Sequence, residues 1–104
     1  MDKEKLYGIS FQLILHSGNA RSLAMESIIE AKASNFEGAK EKLSLAEEEF
    51  VQAHRFQTQL IQGEAAGEHY DLPILLIHAQ DHLMNALTVK DMTKEFIDLY
   101  KKLS

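Results

Sequence analysis

Apolar residues recur along most of this chain at steps of three and four, a rhythm that fits helices and not strands. Interruptions are few, with one proline and five glycines in 104 residues, so the pattern predicts an all-α fold. A first helix runs from Asp2 to about Ser34, with Leu6, Leu13, Ala20, Ala24 and Ala31 on its packing stripe and Gly18 as a weak point costing about 1 kcal/mol relative to alanine. Asn35 is a suitable N-cap for a second helix, in which Ala39, Leu43, Ala46, Phe50, Ala53, Gln57 and Leu60 alternate steps of four and three. That is a bundle seam whose alanines permit close approach.

Gly63 and Gly67 bracket the end of the second helix, and Asp71 with Pro73 opens a third, proline in the first turn sacrificing no internal hydrogen bond. Three helices of about 45 Å each, at about 1.5 Å per residue, with two short connections, predict an antiparallel up-down-up bundle. Residues 1–104 form one domain without repeats or low-complexity segments.

The third helix departs from the amphipathic pattern. Ile74, Leu75, Leu76, Ile77, Ala79, Leu83, Met84, Ala86, Leu87 and Val89 cover nearly its whole circumference. A three-helix monomer covers only one side of such a helix, so the pattern predicts an obligate oligomer with this helix at its centre. Set into it are His78, Asp81, His82 and Asn85, separated by steps of three and four and so gathered on one stripe that continues through Val89, Met92, Phe96 and Leu103. Four polar groups placed in a packing face suggest a site, because buried ionisable groups are costly unless paired or liganded. A polar layer that fixes bundle register is the structural alternative.

Composition narrows the chemistry. Eleven Lys and Arg residues against 16 Asp and Glu give a net charge of −5 without a basic cluster, which argues against nucleic acid as a partner. Zero cysteines exclude a disulfide scaffold, a thiol nucleophile and thiolate zinc, and fit a reducing cytoplasm. The apolar stretch from Phe11 to Leu15 is too short for a signal peptide, and no run approaches the roughly 18–20 residues of a membrane span. The spacing His78-x-x-Asp81-His82 is similar to an inverted zincin motif, but with Asp where that motif has Glu, and the Glu-x-x-His pairs of di-iron bundles are absent. His69 reads as a solvated loop residue, His16 and His54 as helical residues without a catalytic role, and the run Glu47-Glu48-Glu49 as a solvated face.

The segment Leu75-Leu-Ile-His-Ala-Gln-Asp-His-Leu-Met-Asn-Ala-Leu-Thr-Val-Lys-Asp, followed by Glu95-Phe-Ile-Asp-Leu-Tyr, resembles the signature of the lactose/cellobiose family of enzyme IIA components of the bacterial sugar phosphotransferase system. Ser17-Gly-Asn-Ala-Arg-Ser, Asn35-Phe-Glu-Gly-Ala-Lys, Ala53-His54 with Gln57-Thr58, and Glu64-Ala-Ala-Gly67 resemble family positions in the same order, so the likeness spans nearly the whole chain. The resemblance implies a homotrimer of three-helix bundles with active sites near subunit interfaces. It implies that His78 accepts a phosphoryl group from the phosphorylated histidine-containing phosphocarrier protein and gives it to a cysteine of enzyme IIB, for uptake of a β-linked disaccharide by a membrane permease that this chain does not enter. It places Gln80 and His82 beside the phosphohistidine, and Asp81 on the threefold axis, where three carboxylates would share one divalent cation, with Mg²⁺ favoured by all-oxygen ligation. A non-catalytic helical oligomerisation module is the competing reading.

Overall fold

The computed structural model describes residues 1–104 as three helices, α1 (Lys3–Lys32), α2 (Phe36–Ala65) and α3 (Ile74–Leu103), in a rod of 52 × 20 × 18 Å. Asp2 caps α1, its carboxylate accepting from the Lys5 amide at 2.8 Å, one residue outside the helix that the hydrophobic pattern had begun at Asp2. The first connection is tight. Ser34 takes a left-handed φ of 64°, and the Asn35 side chain then accepts from Gly38 N–H at 3.0 Å while donating to Glu30 at 2.6 Å. Gly38 permits this closure, since a Cβ there would lie 2.5 Å from the Asn35 amide nitrogen.

At the far end of α2, Gly67 adopts the left-handed φ of 97° that stops the helix and Gly63 lies inside the last turn, so the two bracket its end at Ala65 as expected. A Cβ on Gly63 would overlap the Tyr70 hydroxyl, which donates to Glu68 at 2.9 Å; Glu68 also accepts from the N-terminal ammonium at 3.4 Å. Burial, followed by the adjoining Glu68, raises the Tyr70 pKa, and the Tyr70 hydroxyl, then the ammonium, lowers that of Glu68. Pro73 stands at the N-cap with extended backbone, one position outside the first turn expected for it, and its carbonyl accepts from the Leu76 and Ile77 amides.

The core follows the seam expected of each helix. Leu6, Ile9 and Leu13 of α1 meet Ala53 and Leu60 of α2 and Leu76, Ala79 and Leu83 of α3 at one end, and Ala31, Ala39 and Ile97 close the other. Between them the seam is small and hydroxylated. Ser27 donates across to the Ala39 carbonyl at 2.6 Å, Thr93 donates to Val89 at 2.7 Å and lies 3.4 Å from the Ala24 carbonyl, while Ser17 Oγ is fully buried without a partner. Since Thr93 faces Ala24, α1 and α3 run parallel and in register, with α2 antiparallel to both.

The third helix is not buried around its circumference within one chain. Only Leu76, Ala79, Leu83, Ala86, Thr93 and Ile97 are enclosed, and Ile74, Met84, Met92, Leu99 and Leu103 are half or more exposed, which is the open apolar strip that the sequence pattern implied.

Candidate functional site

The four polar residues of α3 stand on this open strip and not in the chain's own packing face. Within one chain His78, Asp81 and Asn85 are exposed and His82 is half-buried, so the packing face expected for them is the one an oligomer would cover, while the core-facing side of the same turns is taken by Ala79, Leu83 and Ala86. The helix brings two of them together. His82 Nε2 lies 3.1 Å from His78 Nε2, with ring centroids 4.5 Å apart and planes at 88°, the edge-on pairing that a four-residue step produces.

Asp81 takes no part in that pair. Together with His82, Asn85, Thr88, Val89 and Arg21 of α1 it lines a concavity of about 390 Å³ between α1 and α3. Within one chain no three His, Asp or Glu side chains converge as ligands, so the zinc reading of His78, Asp81 and His82 has no complete ligand set. Gln80 points elsewhere. Its Oε1 accepts from Gln57 Nε2 at 3.0 Å, which ties it to α2 beside an apolar groove lined by Leu60, Tyr70, Leu76 and Ile77.

Two features escaped the sequence pattern. His16 Nδ1 is bonded to Glu49 at 2.6 Å and its ring stacks on Phe56, while Glu47 pairs with Lys94 at 3.3 Å, so only Glu48 of the acidic run is a purely solvated residue. Arg21 was also missed as a neighbour of the α3 site, because nothing local to α1 reveals that its side chain shares a hollow with residues some 60 positions away. His69 is exposed, as expected of a loop residue, and His54 is exposed on α2.

Residues 8–101 match the family model of the PTS system, Lactose/Cellobiose specific IIA subunit. The chain is 54% identical over 101 residues to the lichenan-specific phosphotransferase enzyme IIA component of Bacillus subtilis, covering 97% of this chain and 92% of that one. It is 36% identical to the lactose-specific EIIA component of Streptococcus mutans, covering 98% of each. Among solved structures, the cellobiose-specific enzyme IIA from Bacillus anthracis superposes with a TM-score of 0.93 at 56% identity, over 99% of this chain and 93% of that one. The IIA(Chitobiose) subunit in its complex with HPr, from Escherichia coli, superposes with a TM-score of 0.81 at 36% identity, over 94% and 95%. With the histidine pair on an open helical face and a match spanning the bundle, the chain belongs to the lactose/cellobiose-specific IIA family of the phosphotransferase system.

Proposed function

We propose that the protein is a cytoplasmic phosphoryl carrier in which His78 takes a phosphoryl group from the phosphorylated histidine-containing phosphocarrier protein and passes it to a cysteine of the matching enzyme IIB, for uptake of a β-linked disaccharide. The observation that carries this reading is the His78–His82 contact. At 3.1 Å one Nε2 must donate and the other accept. With His82 as donor, His78 keeps its proton on Nδ1 and carries an unprotonated Nε2 whose lone pair, once His82 turns away, is the nucleophile that the reaction needs.

In the transfer that lone pair forms a bond to phosphorus while the donor's P–N bond breaks, its electron pair returning to the donor histidine. A cysteine thiolate of enzyme IIB then attacks the phosphorus, and the P–N bond to His78 breaks in turn. His82 Nε2–H, released from His78, donates to a phosphoryl oxygen, so that the group which sets the tautomer also holds the product. Such transfers depend on in-line positioning and oxygen donors more than on covalent chemistry. Gln80, held through its oxygen by Gln57, points away from the pair in its own chain, so the donor role that the resemblance implied for it is not carried by this geometry. The complex of a chitobiose IIA with HPr supports the assignment of the donor. None of the helices is long and apolar enough to cross a membrane, so the permease is a separate chain in this reading.

The open apolar strip of α3 supports a homotrimer built around that helix. One chain offers a single Asp81 carboxylate, and three copies around an axis would supply a set of oxygens suited to Mg²⁺. The ion's contribution there is neutralisation of three carboxylates, apart from the phosphoryl step. Incubation with phosphoenolpyruvate, enzyme I and the phosphocarrier protein tests the reading, with one acid-labile phosphate per chain expected. Failure to label with any cognate donor would leave a non-catalytic oligomerisation module.

A further inference from the structure

We infer that Arg21 is the residue that compensates the negative charge of the phosphoryl group in this site, a positioning residue contributed by α1 to chemistry carried on α3; the inference rests on the carrier reading above. A phosphoryl group brings a charge of about −1.5 to −2 near neutral pH. It arrives on a chain of net charge −5, beside an exposed carboxylate, Asp81, on the same helix. Full positive charge is therefore needed nearby, and neither His78 nor Gln80 brings it.

Arg21 is the basic side chain in the concavity that holds Asp81 and His82. Three other cations are engaged elsewhere: Lys42 pairs with Glu26 at 3.6 Å, Lys94 with Glu47 at 3.3 Å, and Lys90 lies over the Phe50 ring at 4.8 Å. Arg21 has no carboxylate within 4.0 Å, so its five donors are free. Its direction is favourable too. Helical side chains lean toward the N-terminus, and because α1 and α3 run parallel with Ala24 level with Thr93, the arm of Arg21 leans from about the level of Lys90 back toward Asn85 and His82. Gly18, one turn earlier on the same face, leaves open space along that path.

His78 does not line the hollow, but His82 does and stands 3.1 Å from His78 Nε2, so a phosphoryl group on that nitrogen borders the hollow, whose donors suit a tetrahedral oxyanion. The guanidinium presents a planar fork that phosphate oxygens accept in pairs, and the Asn85 amide and His82 add donors. Thr88 contributes none, as its hydroxyl proton is committed to the Met84 carbonyl at 3.2 Å.

The test uses the whole chain with ¹⁵N-labelled arginine, the Arg21 Nε–H signal being assigned by its loss in Arg21→Lys. Phosphorylation by phosphoenolpyruvate, enzyme I and the phosphocarrier protein is expected to move that signal in the unmodified protein. Arg21→Gln should lower kcat/KM for phosphoryl acceptance at least about tenfold and reduce the phosphorylated fraction at equilibrium, Arg21→Lys, which restores the charge but not the fork, should recover part of both, and the charge-matched Lys32→Gln at the far end of α1 should change neither. The loss in Arg21→Gln should persist in an Asp81→Leu background. A signal that does not move, or a loss that vanishes once Asp81 is gone, overturns the inference, the second because Arg21 would then serve only Asp81. If the unmodified protein takes no phosphoryl group, the carrier reading falls and this inference with it, whereas normal labelling indifferent to Arg21 overturns this inference alone.

Discussion

His82 Nε2 stands 3.1 Å from His78 Nε2, one helical turn away on a face that the chain leaves open. The contact fixes which nitrogen of His78 carries a lone pair, if His82 is the donor. Long-range ¹H–¹⁵N correlation of the imidazoles is expected to find His78 protonated on Nδ1 and His82 on Nε2 in the unphosphorylated protein at neutral pH. His82→Ala should slow transfer by about 10²–10⁴-fold while His78 still labels, since a positioned proton donor is lost but the nucleophile is kept.

Gln57 and Gln80 bridge α2 and α3 by a half-buried amide bond of 3.0 Å. In a double-mutant cycle with Gln57→Leu and Gln80→Leu, read by urea unfolding, the coupling should be about 0.5–1.5 kcal/mol.

Ser17 places a hydroxyl in the core without a partner. Ser17→Ala removes a desolvated polar group, keeps the volume nearly constant and improves helix propensity, so the protein should gain about 1 kcal/mol in urea unfolding. Ser27→Ala is expected to have the opposite sign, because Ser27 bonds the Ala39 carbonyl across the helices at 2.6 Å.

The Glu68–Tyr70 pair should be visible by titration. The raised Tyr70 pKa means that its contribution to stability is complete below the usual tyrosine value near 10 and is lost as pH rises through the higher folded value. The lowered Glu68 pKa means that its contribution holds above the usual carboxylate value and is lost as pH falls through the lower folded one. Absorbance at the tyrosinate band should therefore show one late-titrating tyrosine of the three, absent in Tyr70→Phe and shifted earlier in Gly63→Ala, whose new Cβ would displace the Tyr70 hydroxyl.

Assembly follows from the exposed Met84, Met92, Phe96 and Leu99 of α3. Sedimentation equilibrium should give three chains at micromolar concentration. Asp81→Leu should retain the trimer and lose a divalent ion found by elemental analysis of the unmodified protein, since apolar packing can replace a cluster of paired charges.

The heptads of α2 and the cap at Asn35 were legible because helix periodicity and capping are local properties of sequence. The position of Pro73 was not, since it stands at the N-cap and the pattern does not fix the first helical residue to within one position. Periodicity also gathered His78 and His82 on one stripe, and the apolar circumference of α3 implied its open strip. What covers that stripe was not legible, because spacing reports angular position and not what lies opposite. Tertiary partners lay beyond reach: Glu49 for His16, Gln57 for Gln80 and Arg21 for the hollow beside Asp81 each come from another helix.

The most direct measurement is mass spectrometry under alkaline conditions of the chain and its His78→Ala variant after phosphoryl transfer from the phosphocarrier protein. One phosphate on the unmodified chain, mapped to the peptide holding His78, and none on His78→Ala with helicity and assembly unchanged, is the expected result. Full labelling of His78→Ala would place the acceptor elsewhere, with His82 the first candidate, and would contradict the account.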